Sequence, residues 1–102
     1  MIERFSDKDP AEIIVLTVDF VDVDSPAVME TITSCNWFIT REDLPTEDTS
    51  AMKIGSAAIA GFKVSQKVAA GTVGGSYIHR VEAVTATRTL IFGVRQNVTY
   101  GA

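Results

Sequence analysis

Short runs in which apolar and polar residues alternate at every second position dominate this sequence of 102 residues. The segment 62–70, FKVSQKVAA, alternates cleanly, and the segment 76–87, SYIHRVEAVTAT, repeats the pattern. A period of two places successive side chains on opposite faces of an extended strand. No apolar stripe with the 3.6-residue period of a core-facing helix runs through the chain. The pattern therefore predicts an all-β protein.

Turn-forming segments divide the apolar runs into about seven short strands. In the first clear run, IIVLTVDF, the residues that share one face are Ile14, Leu16, Val18 and Phe20, while Asp19 faces solvent. The last two runs are joined by a short polar turn, so we expect them to pair as an antiparallel hairpin. Alternating strands of this length indicate a sandwich of two packed sheets.

Three segments carry predictions of their own. The run 31–39 has apolar residues on both faces, which predicts a bulge or a change of exposed side midway. Small residues at 52–60 predict an extended segment in which Gly55 permits a bulge, although an alanine-rich window also favours helix. The glycine-rich GTVGG at 71–75 predicts a hairpin turn between two strands.

Composition and charge limit the chain to one small domain over residues 1–102. It is 46% hydrophobic and 22% charged, and a chain of this size buries roughly 65% of its extended surface around a single core. An enzyme with separate cofactor and substrate domains is excluded.

The net charge of the chain is negative. The 9 basic and 13 acidic residues give 9 − 13 = −4 at neutral pH. Because a negative field repels phosphates, we expect no nucleic acid and no membrane among the partners.

Targeting signals are not predicted. The start MIERFSDKDP lacks an apolar signal region, and no run reaches the roughly 18 apolar residues of a membrane span. The single cysteine, Cys35, cannot form an internal disulfide. We therefore expect a protein that is synthesised in the cytoplasm.

The residues that could carry chemistry do not form a recognisable site. Cys35 and His79 are the only cysteine and histidine, and His79 is predicted to lie inside the alternating stripe of a strand. Nucleophilic catalysis needs an activated nucleophile beside a base, and zinc needs three or four such ligands. We predict no catalytic, cofactor-binding or metal-ligating residues, no cofactor, and no enzymatic activity.

The first of two acidic segments leaves a metal alternative open. Asp19, Asp22 and Asp24 are spaced like oxygen ligands and could gather calcium, although the predicted loop 21–30 lacks the glycine and glutamate of an EF-hand. Solvated acids are the simpler interpretation. The segment 41–50 contains four further acids, which we predict to be a solvated charge cluster in a loop: Glu42, Asp43, Glu47 and Asp48.

A set of short motifs runs along the chain in a characteristic order. They are Lys8-Asp9-Pro10, Thr17-Val18-Asp19-Phe20, Thr31-Ile32 with Ser34 and Trp37, Gly71-Thr72-Val73-Gly74 with Tyr77, and Thr85 with Arg88. This order, over about Phe5 to Val98, resembles the phage fiber-tail adaptor proteins, small tail-associated proteins of bacteriophages. The resemblance implies an immunoglobulin-like antiparallel β-sandwich of about seven strands that serves as a part of the virion.

The same resemblance implies the function. The expected protein is a non-enzymatic adaptor, attached at the tail or the head-to-tail region, that links neighbouring virion components in several copies. Its partners are other tail, fiber or connector proteins. Open edges of a sandwich accept a strand from a partner, and the apolar run Ile13–Leu16 is the candidate docking line. We expect a neighbouring subunit to cover Ile13 and Val15.

Two other functions remain alternatives. In an immunoglobulin-like binding or adhesion module, Trp37, Tyr77 and the loop acids would contact glycan or calcium. The competing interpretation of Trp37 is an aromatic anchor of the sandwich core. A small hydrolase would need a pocket and a reactive constellation that the sequence does not contain.

Overall fold

The structure, a computed structural model, describes residues 2–5, 7–20 and 31–101, with only the backbone described for residues 2–4. Its strands are β1 (Ile2–Arg4), β2 (Ile14–Asp19), β3 (Ser34–Arg41), β4 (Lys53–Ala60), β5 (Lys63–Val68), β6 (Ser76–Val84) and β7 (Thr89–Asn97). One turn of 3-10 helix, Ser50–Met52, precedes β4. The predicted all-β class is confirmed.

The seven strands form two sheets. One has the order β1-β7-β6-β3 and the other the order β2-β5-β4. All pairs are antiparallel except β1 with β7, which is parallel. The separation of β2, β4 and β5 from β3, β6 and β7 is the immunoglobulin-like connectivity, here with the first strand beside the last one. The predicted hairpin of the last two strands is the β6–β7 pair.

The core lies between the sheets and is built by the predicted alternation. In β2, Leu16 and Val18 are buried and Thr17 between them is exposed. In β6, alternate residues from Tyr77 to Ala83 are buried. The buried hydrophobic residues are Leu16, Val18, Phe20, Ile32, Trp37, Ile39, Met52, Val64, Val68, Tyr77, Val81, Ala83, Val94 and Val98. Removing this apolar surface from water is the main force that holds the two sheets together.

The region around β3 follows one of the two alternatives predicted for residues 31–39. The strand pairs with β6 in continuous register from Ser34 to Arg41, so no bulge interrupts β3 itself. The exposed side does change, but before the strand begins. Ile32 is buried, the next two residues are exposed, and Trp37 and Ile39 are then buried at alternate positions of β3. A loop-to-strand transition thus reverses the pattern without disturbing the pairing.

The bulge predicted at Gly55 is confirmed. The register of β4 against β5 shifts between Ile54 and Ala58, and Gly55 has φ +71°. A positive φ is strained for residues with a Cβ atom, so glycine suits this position. The segment is extended, as predicted, despite the helix propensity of its alanines.

The glycine-rich segment 71–75 is not a hairpin turn. It follows β5 and precedes β6, which lie in different sheets, so it crosses from one layer to the other. A side chain at Gly75 would lie 2.8 Å from the ring of Tyr77, which explains why this position has none. Local alternation is the same for a hairpin and a crossover, and only the packing of the two sheets distinguishes them. The predicted loop 21–30 lies outside the described residues.

Candidate functional site at the strand edges

The histidine is a structural core residue. His79 is fully buried, its Nδ1 accepts a hydrogen bond of 2.9 Å from Trp37 Nε1, and its Nε2 lies 3.2 Å from Gln96 Oε1. This arrangement requires a neutral ring that accepts at Nδ1 and donates at Nε2. Burial lowers the pKa of His79 to about 4, although the hydrogen bond to Gln96 raises it. The ring therefore supports the Trp37 anchor.

The structure does not pair Cys35 with His79. Cys35 lies opposite Ala83 and His79 lies opposite Ile39, which places them four positions, roughly 13 Å, apart along the two strands. Burial also raises the pKa of the Cys35 thiol, so the reactive thiolate is disfavoured. Neither residue is arranged as a nucleophile or a base.

The possible calcium ligands are only partly covered by the structure. Asp19 ends β2, whereas Asp22 and Asp24 lie outside the described residues. Over 2–5, 7–20 and 31–101, no group of three or more His, Cys, Asp or Glu residues is placed to hold a metal ion. The same ranges contain no helix long and apolar enough to cross a membrane. Calcium binding by the three aspartates stays untested.

The prediction of a solvated acid cluster at 41–50 is wrong for Glu47. Its Oε2 accepts a 2.6 Å hydrogen bond from the Tyr77 hydroxyl, and its Oε1 accepts one of 2.7 Å from Arg41. The Tyr77 hydroxyl in turn accepts from the Thr72 backbone N–H at 2.8 Å. The hydrogen bonds from Tyr77 and Arg41 lower the pKa of Glu47. This network ties the loop after β3 to the crossover before β6.

No local pattern marks this role of Glu47. The other acids of the cluster, Glu42, Asp43 and Asp48, are exposed as predicted. Only the meeting of two loops distant in sequence selects Glu47, which is partly exposed, as the hydrogen-bond partner of the buried Tyr77. The depressions on either side of Glu47 are open to solvent and shallow, so they do not resemble an enclosed ligand site.

The aromatic residues of the binding-module alternative are not available to a glycan. Trp37 is 2% exposed and Tyr77 is fully buried. Trp37 also stacks on Phe5, with ring centroids 6.2 Å apart, and contacts His79 edge to face. Trp37 is therefore the aromatic anchor of the core, and stacking of either ring on a sugar is excluded in this structure.

The first strand edge of interest belongs to β2. This strand is terminal in its sheet, and within the described part of the chain no strand pairs with its outer side. Ile13 is 57% exposed and Val15 is 64% exposed, whereas Leu16 and Val18 point into the core. The expectation that Ile13 and Val15 lack cover within the chain itself thus agrees with the structure.

The direction of the β2 backbone groups follows from one hydrogen bond. Phe20 N–H donates to Phe62 O at 2.9 Å, in the position that continues the β2–β5 register. In an antiparallel ladder the bonded positions alternate along a strand. The even-numbered residues therefore bond to β5, and Val15 and Thr17 direct their N–H and C=O groups to the open side.

The second edge belongs to β3, and it is capped. The Lys53 ammonium donates to Trp37 O at 2.8 Å, and the Thr49 hydroxyl donates to Ile39 O. Both carbonyls lie on the side of β3 that faces away from β6. Charged and polar side chains at an edge are a known protection against pairing with another chain. Of these two edges, that of β3 is capped and that of β2 is open.

Comparison with known proteins identifies the family of the chain. No curated protein is significantly similar to the chain. The sequence profile of a family described as "Gp77: Podophage GP4 fiber-tail adaptor protein gp77" matches residues 8–94. This match covers most of the chain, from the Lys8-Asp9-Pro10 motif into β7. The protein therefore belongs to the podophage GP4 fiber-tail adaptor family.

Proposed function

We propose that this protein is a non-enzymatic adaptor that attaches at the tail of a phage virion and links neighbouring tail and fiber components, in several copies. The family supports a structural role, a virion location and partners among other tail and fiber proteins. In this proposal residues 1–102 form one immunoglobulin-like domain, made in the host cytoplasm. His79 is buried and neutral, and Cys35 lies four positions away from it along the paired strands with a raised thiol pKa. Neither residue therefore supports a catalytic function.

The observation that carries the proposal is the open edge of β2. Val15 and Thr17 present backbone donors and acceptors, and Ile13 and Val15 present apolar side chains, on an edge that no described strand covers. We infer that an extended segment of a neighbouring tail or fiber protein adds to this edge as a fourth strand. Strand addition gives affinity through main-chain hydrogen bonds and specificity through alternate side chains.

The outer face defines the chemistry of the added strand. Along this face Val15 lies beside Lys67 of β5, and Lys67 lies beside Ile54 of β4. A residue of the partner that faces the same way next to Val15 would gain apolar cover. A neighbouring acid would reach the exposed Lys67, for which the described residues offer no ion pair. We therefore expect a partner strand that combines apolar and acidic residues on this face.

The decisive experiment removes the outward N–H groups without removing those that bond to β5. Val15→Pro and Thr17→Pro delete donors on the open side, where proline is tolerated at an edge strand. Val15→Thr is the matched control, because it keeps both the N–H group and the β-branched shape. Binding of each variant to purified tails and to purified fibers of the same phage is measured by cosedimentation, after circular dichroism has verified the fold.

We expect both proline variants to lose at least tenfold in affinity for one of these partners, and the threonine variant to lose less than threefold. If folded proline variants bind like the unchanged protein, strand addition at β2 is overturned. If the unchanged protein binds neither tails nor fibers, the adaptor function itself is overturned.

A further inference from the structure

A second exposed surface lies on the other sheet and is not used by the proposed strand addition. β3, β6 and β7 belong to the four-stranded sheet, and we name their outward side the four-strand face. Phe38 and Ile91 on this face are 43% and 48% exposed, and Ile78 and Val84 beside them are half-buried. Single exposed apolar residues are ordinary, but four on one sheet face form an exposed apolar patch, whose contact with water is unfavourable.

One ion pair lies at the centre of the four-strand face. Arg80 and Glu82 are neighbours on the same side of β6, and Arg80 Nη1 donates to Glu82 Oε2 at 2.6 Å. Their partners across the strands form two rows. The first row is Phe38, Arg80 and Gly93, and the second row is Asn36, Glu82 and Ile91. Arg95, beside Ile78 on the same face, donates to Glu42 at 2.7 Å, so the described charges of the face are neutralised in pairs.

We propose that the four-strand face binds a second copy of this chain, face to face, around a two-fold axis that crosses β6 between Arg80 and Glu82. A rotation of 180° about this axis exchanges the two rows. Arg80 then lies opposite Glu82 of the partner subunit, and the reverse pair forms at the same time. A two-fold interface must be self-complementary in this way, because each subunit contributes the same surface.

The same rotation matches the shapes of the rows. Ile91 of each subunit, which is exposed, comes to lie over Gly93 of the partner subunit, which has no side chain and is partly exposed. Phe38 comes to lie over Asn36 of the partner subunit. Arg80 and Lys53 lie 5.9 and 6.0 Å from the centre of the Phe38 ring, so the ring is already held in position. Burial of these groups requires little reordering.

Size and net charge indicate how tight this contact can be. Three strands of eight or nine residues, about 4.8 Å apart with a rise of about 3.3 Å per residue, give a face smaller than the roughly 800 Å² per partner of a standard interface. Two copies of charge −4 repel weakly, since physiological salt screens charges beyond about 8 Å. We therefore expect a dissociation constant in the micromolar range.

The test uses the reversed pair Arg80→Glu with Glu82→Arg. This double variant keeps the ion pair within the strand and is complementary to itself, so it dimerises like the unchanged protein. A mixed dimer of the two proteins is different, because each arginine faces an arginine and each glutamate a glutamate. Like charges placed opposite each other are strongly unfavourable. Native mass spectrometry of isotope-labelled mixtures and sedimentation equilibrium from about 1 to 500 μM measure the three dimers.

We expect two homodimers and a mixed dimer at least tenfold less abundant than the statistical share. Ile91→Ser is expected to weaken the homodimer at least tenfold, whereas Ile59→Ser, at an exposed residue of the other sheet, leaves it unchanged. A protein that is monomeric at 500 μM, or a mixed dimer at its statistical abundance, would overturn the proposal. Neither result bears on binding of a partner strand at β2, which is measured separately with tails and fibers.

Discussion

The free edges of β2 and β3 are built from the same kind of alternating sequence but are treated in opposite ways. At β3 the outward carbonyls of Trp37 and Ile39 are occupied by Lys53 and Thr49. At β2 the outward groups of Val15 and Thr17 meet no strand among the described residues. An uncovered edge is a template for pairing with another chain, which is why we propose the β2 edge, and not the capped β3 edge, as the place where a partner strand adds.

The two edges also differ in what lies behind them. Trp37 of β3 packs on His79, which binds Gln96 of β7, so the capped edge rests on a buried polar network. Leu16 and Val18 of β2 rest on apolar core residues. Beside Leu16, the buried Gln66 of β5 donates to backbone carbonyls of β4 and does not titrate, so only the β3 side is expected to be sensitive to acid.

The largest expected effect is the acid sensitivity of the β3 side. The pKa of His79 is about 4 in the folded protein and about 6.5 in an unfolded chain. The unfolded chain therefore binds more protons between these values. Stability is fully present above pH 6.5, falls as the pH is lowered towards 4, and loses about 3 kcal/mol across this window. Urea unfolding at pH 7, 6, 5 and 4.5 measures the loss.

The control for this effect is His79→Gln, which keeps a side chain able to accept from Trp37 but does not titrate. Its free energy of unfolding at pH 7 is lower than that of the unchanged protein, and it stays nearly flat from pH 6.5 to 5. Loss of the carboxylate hydrogen bonds, such as those of Glu47, belongs to more acidic solution because the pKa of Glu47 is lowered. Equal slopes for the two proteins would contradict the role of His79.

The next effect comes from uncapping the β3 edge with Thr49→Val and Lys53→Met together. Loss of the Thr49 hydroxyl costs about 1 kcal/mol, and loss of the solvent-exposed Lys53 ammonium costs less. The more specific result is self-association, because the carbonyls of Trp37 and Ile39 become available to another chain. Light scattering at increasing concentration detects it. Thr49→Ser with Lys53→Arg keeps both donors and is expected to remain unassociated.

The smallest effect is expected at the open edge itself. Val15→Thr keeps the backbone and shape of β2, and the side chain is 64% exposed, so the free energy of unfolding changes by less than about 0.5 kcal/mol. Thermal unfolding monitored by circular dichroism measures this change. A loss of more than about 1.5 kcal/mol would mean that Val15 is covered within the chain, and the contrast between the two edges would disappear.

The strands themselves were predictable because the cause is local. Alternation placed Leu16 and Val18 on the buried face of β2, and Gly55 marked the bulge in β4. The prediction for 71–75 failed because a glycine-rich turn has the same sequence character whether it joins two strands of one sheet or crosses to the other. For residues 31–39 the pattern left a bulge and a change of exposed side as alternatives, and the structure has the change of side, just before β3 begins.

The candidate docking line was also visible in advance, because four consecutive apolar residues at Ile13–Leu16 cannot all face a core. The capping of the other edge was not. Lys53 and Thr49 are ordinary polar residues of a loop and a strand end, and nothing near them in the chain indicates that they reach β3. The same holds for Glu47, whose neighbours in sequence are exposed while it binds Tyr77.

The amino-acid order by itself determined that the chain is all-β, where most strands run, and which faces of them are apolar. These properties depend on side chains two residues apart, so they are written in the local pattern. The tertiary structure decided which strands share a sheet, which edge is capped, and that Arg80 and Glu82 occupy the centre of an exposed face. Those outcomes depend on contacts between residues far apart in the chain, which local periodicity does not encode.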